Sequence, residues 1–243
     1  MKEIKWIKSI SIWIFIIPFL SVNFCLIFSQ SFPFGEGPFA IGDTIADKAS
    51  DWIIPYIDGN NSISRVVRVF PNNLIFKPSM IITSILLIFY WIYNAQLIKT
   101  INSDQKHIKK ILFFGIGSAI FLSIHSIFLG IKFDISIFKL LRRIVLLAFI
   151  IFEIVAQAYL IVILFNIKNK ISHLINEKIL KIKRILVTVL ILVAIITMPF
   201  LPFNNLKTIK YLLEWNYFLG VILFYLLTFL MWKKPHSHTL SGV

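Results

Sequence analysis

What limits this chain most is a set of apolar runs, each about 20 residues long and almost free of charge. Wound as a helix at about 1.5 Å per residue, such a run crosses a hydrocarbon core of about 30 Å. The runs fall at residues 10–28, 80–98, 111–129, 140–165, 185–201 and 209–232. Lipid offers no hydrogen bonds, so each backbone group must find its partner within its own segment, and each run reads as a helix. Hydrophobic residues make up 58% of the 243, against roughly 45–50% in a soluble domain. The expected fold is all-α: one polytopic membrane helix bundle of six transmembrane helices spanning 1–243, with no room for a second domain.

Charge orients the bundle. The net charge is +14, and 15 of the 25 Lys and Arg fall in the N-terminus, the links after the second and fourth runs, and the C-terminus. The other side holds 10, spread over more residues. By the positive-inside bias the dense side is cytoplasmic, so both termini are expected inside. A basic face against anionic lipid headgroups accounts for the charge, and no nucleic-acid partner is needed. The plasma or inner membrane and an endomembrane fit this pattern equally. Lys2, Lys5 and Lys8 precede the first run and no A-x-A-like site follows it, so it reads as an uncleaved anchor. The single cysteine, Cys25, lies inside that run, which rules out an intrachain disulfide.

The long first outer loop, 32–77, then faces away from the cytoplasm. It carries Glu36, Asp43, Asp47, Asp51 and Asp58, and also Pro33, Pro38, Pro55 and Pro71. Two short interfacial helices are expected in it. Asp43 or Thr44 caps the first, which shares a face of Ile45, Ala49, Trp52 and Ile53 and is closed by Pro55. Ser62 caps the second, with Ile63, Val66, Val67 and Phe70 at helical spacing, and Pro71 stops it. Asn60-Asn61-Ser62 fits the N-glycosylation acceptor pattern.

Ionisable groups inside spans are costly and call for a partner or a purpose. Glu153 lies near the middle of the fourth run with Gln157 one turn on, and is either protonated or paired. His125, flanked by Ser123 and Ser126, and Glu214, beside Trp215 and Asn216, lie in the outer third of their runs. Arg142 and Arg143 mark the outer start of the fourth, about 15 Å from the depth of Glu153. An outward-opening polar pocket of His125, Arg143 and Glu214, roofed by the loop, is therefore expected. The plain alternative is a helix-to-helix hydrogen-bond network that only fixes packing. There is no H-E-x-x-H, G-x-S-x-G or Walker pattern. His236 and His238 read as solvated, and neither a metal nor a cofactor is expected.

Two stretches resemble the Frag/DRAM/Sfk family, whose fold is shared by the damage-regulated autophagy modulators and the CWH-type N-terminal domain. The first is Pro55-Tyr56-Ile57-Asp58-Gly59 through Phe70-Pro71 to Phe76. The second is Glu214-Trp215 followed by Phe224-Tyr225-Leu226-Leu227-Thr228-Phe229. The family's Ser between the Ile and Asp of the first pattern is missing here. The resemblance implies six spans and a role in membrane-lipid homeostasis or lipid remodelling.

The leading expectation is a non-enzymatic membrane protein that binds a lipid headgroup or glycolipid. Arg65, Arg68 and Arg143 suit phosphate, while Asp58 and Glu214, the latter with Trp215 beside it, suit amine or hydroxyl groups. Two alternatives stay open. One is a lipid-remodelling enzyme with His125 or Glu214 as general base. The other is a small proton-coupled transporter using Glu153 and Gln157, although no inverted repeat accompanies it.

Overall fold

The computed structural model describes residues 2–31, 54–101, 105–131, 136–197 and 206–233, and among these the chain is helical with no strand. The described residues form eight helices in order: α1 Lys2–Ser31, α2 Pro55–Asp58, α3 Ile63–Val67, α4 Asn72–Ile101, α5 Gln105–Phe128, α6 Ser136–Ile171, α7 Glu177–Thr197 and α8 Lys207–Met231. Five of them (α1, α4, α5, α6 and α8) are long and apolar enough to cross a membrane, which makes this a multi-pass membrane protein. The sixth long helix, α7, has five charged residues among its first eight and none after them.

Most helices outrun the apolar stretches that predicted them. The second run begins at Met80, yet α4 starts at Asn72 and carries Pro78 within it. The basic link expected between the fourth and fifth runs shrinks to residues 172–176, because α6 continues to Ile171 and α7 begins at Glu177. Lys and Glu are good helix formers, so a helix can run past the hydrocarbon edge at little cost. The expected first loop helix, 44–54, lies outside the described residues except at Ile54. Pro55, expected to close it, instead opens α2, where a proline's missing N–H would have had no partner anyway. Ser62 caps α3 as its sequence position suggests, its Oγ accepting from Arg65 N at 3.2 Å.

The six long helices form a closed ring in which each packs on two neighbours, in the order α1, α4, α5, α6, α7, α8 and back to α1. Trp91, Leu160, Trp215, Phe224 and Tyr225 fill its interior. The outer wall inverts the soluble pattern: Trp13, Leu20, Phe113, Ile185 and Ile195 are each more than half exposed. Water would penalise such a belt, and lipid does not. Gly115 lets α4 and α5 close up, since a Cβ there would strike the indole of Trp91.

One end of the ring carries α2 and α3, which pack on α8, α1 and α4. Gly59 ends α2 with φ +60°, a left-handed conformation that glycine adopts without strain, and its backbone lies against the carbonyl of Thr208. The opposite end is tied by the turn before α7. Asn176 N donates to Met231 O and Lys233 N to Leu174 O, both at 2.8 Å, and Lys8 Nζ reaches Trp232 O at 2.8 Å.

Candidate functional site

At the capped end, three consecutive residues of α8 hold the loop. Glu214 Oε1 accepts the backbone N–H of Ser64 at 3.3 Å, in the first turn of α3. Trp215 Nε1 donates to Asn61 O at 2.7 Å, and Asn216 Nδ2 to Tyr56 O at 2.9 Å. The Tyr56 ring meets Trp215 edge-on at 4.9 Å, and its hydroxyl donates to Asn23 Oδ1 at 3.2 Å. Burial pushes the Tyr56 phenol above its ordinary range. Asn72 locks the other side, its Nδ2 donating to Ser29 Oγ at 2.5 Å, Val66 O at 2.9 Å and Cys25 O at 3.1 Å. Glu214 and Trp215, expected to face a ligand, are thus engaged with the chain's own backbone.

Asp58 is exposed and closes a local turn, its Oδ2 accepting from Ile54 N at 2.9 Å. Arg65 is half-buried and Arg68 exposed. His125 is buried where α5 meets α6, in a shallow recess lined by Ile124, Phe128, Phe138, Leu141, Arg142 and Val145. The arginine beside it is Arg142, while Arg143 points to the exposed surface. The expected grouping of His125, Arg143 and Glu214 therefore resolves into two settings. His125 belongs to the α5–α6 contact and Glu214 to the α8–α3 contact, and the ring order sets α5 across from α8. A helix turns about 100° per residue, so adjacent Arg142 and Arg143 cannot both face the same neighbour.

A second polar group lies in the ring's interior. Glu153 is 1% exposed and receives three hydrogen bonds: from Ser118 Oγ at 2.7 Å, from Gln157 Nε2 at 2.9 Å and from the Tyr225 hydroxyl. Gln157 Nε2 also reaches Val221 O at 3.4 Å. Tyr225 packs edge-on against Tyr90 at 4.9 Å, whose hydroxyl pairs with Thr228 Oγ1 at 3.2 Å. α5, α6, α8 and α4 all contribute. The Glu153–Gln157 pair was readable from helical spacing. Ser118 and Tyr225 were not, because a lone Ser in an apolar run and a Tyr in an aromatic-rich one look like ordinary packing. Lys183, which the sequence places in the basic link after the fourth run, is fully buried in α7, with Nζ 3.7 Å from the centroid of the Phe224 ring.

Among the described residues no three His, Cys, Asp or Glu gather as for a metal ion. No family model, curated protein or solved structure matches this chain.

Proposed function

We propose that this is a six-span protein of membrane-lipid homeostasis that holds an anionic lipid headgroup at its non-cytoplasmic mouth, between α5 and α6. α7 is the sixth span, both termini are cytoplasmic, and the basic inner face meets anionic lipid. The observation that carries the reading is Arg142 lying beside buried His125 in an apolar-lined recess. Around it α6 presents Ile137, Leu140, Leu141 and Ile144, all exposed large hydrophobics. Two arginines amid lipid-facing side chains sit where phosphates of the outer leaflet lie, and a guanidinium binds phosphate through a planar fork. Acyl chains would lie along the apolar stretch while the headgroup meets Arg142. The resemblance of Pro55–Phe76 and of Glu214-Trp215 to the Frag/DRAM/Sfk family favours a lipid role, and here both motifs bind each other rather than a ligand.

The test is native mass spectrometry of the protein from nanodiscs of mixed phosphatidylglycerol and phosphatidylcholine. Retained phosphatidylglycerol should exceed its bulk share and fall several-fold in Arg142→Leu, with a smaller loss in Arg143→Leu. If Arg142→Leu retains phosphatidylglycerol as the unaltered chain does, there is no headgroup site at this place.

A further inference from the structure

We infer that Glu153, Gln157, Ser118, Tyr225 and the carbonyl of Val221 form a site for one exchangeable monovalent cation, a proton or a sodium ion, in the interior of the ring. All three donors to Glu153 are neutral groups, so the geometry is that of a carboxylate with its hydrogen bonds met and its charge unmet. Such a charge deep in a helix bundle is expensive unless a counter-charge joins it. One carboxylate among neutral oxygens is balanced by a single positive charge, and a divalent ion would leave an excess just as costly.

A second observation points to the ion. Gln157 is fully buried, yet its Oε1 has no hydrogen-bond partner, while its Nε2 serves both Glu153 Oε1 and Val221 O. A half-turn of the amide exchanges the two atoms and brings that oxygen to face the carboxylate and the Val221 carbonyl. Oxygens so opposed repel unless a cation lies between them. One amide orientation therefore suits the bare carboxylate and the other suits the ion, with the Ser118 and Tyr225 hydroxyls as further oxygen ligands. Hard oxygen donors without thiol or imidazole match a proton or sodium, not a transition metal. The ionisable group facing Glu153 from α8 is Tyr225, with Tyr90 of α4 behind it. Lys183 of α7 lies by the Phe224 ring.

Dicyclohexylcarbodiimide, an apolar reagent for protonated carboxyls, tests this on the full chain in nanodiscs, with the adduct mapped by mass spectrometry. Glu153 should be modified, and the rate should fall as pH rises. If sodium chloride slows it further than choline chloride at equal ionic strength, the occupant is sodium. If only pH matters, it is the proton. Gln157→Leu should displace the half-labelling sodium or proton concentration by about tenfold, the effect of losing one good ligand. Absence of Glu153 adduct at every pH overturns the inference, as does a rate indifferent to both pH and sodium. A Gln157→Leu protein that titrates like the unaltered chain overturns it too. Should that variant not fold, the titration of the unaltered chain decides alone.

Discussion

Asn72 joins three elements with one nitrogen, donating to α1 at Cys25 O and Ser29 Oγ and to the end of α3 at Val66 O. Asn72→Ala leaves those oxygens buried without that donor, and an unmet buried polar group costs about 1–3 kcal/mol. The expected loss is about 2–4 kcal/mol, seen as a lower thermal midpoint in detergent and faster proteolysis within 54–71. Trp215→Phe is the milder comparison. It forfeits only the Nε1 bond to Asn61 O while keeping a ring for Tyr56 to meet, so about 1 kcal/mol is expected. Neither role follows from residue type. Asn72 sits in a stretch that reads as loop, and Glu214 and Trp215 read as ligand contacts because the backbone they bind is about 150 residues away in sequence.

At the scale of elements, each long helix was announced by its apolar run, and Ser62 announced the cap of α3. Boundaries were not legible, since hydropathy marks where lipid begins and helix propensity decides where the helix ends. α7 shows the consequence. The segment around Lys183 and Arg184 reads as a basic link, yet it is helical. Arg184 lies over Phe165 at 4.4 Å while Lys183 is fully enclosed. Lys183 Nζ has no hydrogen-bond partner, and its contact with the Phe224 ring, out of water, is worth about 2 kcal/mol or somewhat more. Removing an ammonium from water costs several kcal/mol, so desolvation outweighs the ring contact. Lys183→Met, which keeps the volume, should leave the thermal midpoint unchanged or raise it by the equivalent of about 1 kcal/mol or more. A marked fall would mean that the amine has a bonding role that the geometry around it lacks.

For the whole molecule, the closed ring explains why motifs far apart in sequence meet: α8 lies next to α1 and α7, and α2 and α3 rest on its first turns. It also makes topology a question with few answers. If α7 crosses the membrane, the turn at 172–176 and the start of α8 lie on opposite sides, and the start of α8 shares a side with the cap. The chain suits a cysteine test because Cys25 is its only thiol and is buried. Asn60, Ser172 and Lys207 are all exposed, so a cysteine at each is open to a membrane-impermeant maleimide when its side faces the reagent. In sealed vesicles of known orientation, Asn60→Cys and Lys207→Cys should label together and Ser172→Cys only after the membrane is opened, or the reverse if the vesicles are inverted. With the basic face cytoplasmic, and the protein in a membrane that the reagent reaches from outside, intact cells should label the first two. Labelling of Ser172→Cys alongside Lys207→Cys would mean that α7 enters and leaves by one face. The α6–α7–α8 wall, and with it the buried setting of Glu153, would then fail, while the Arg142 recess between α5 and α6 would stand.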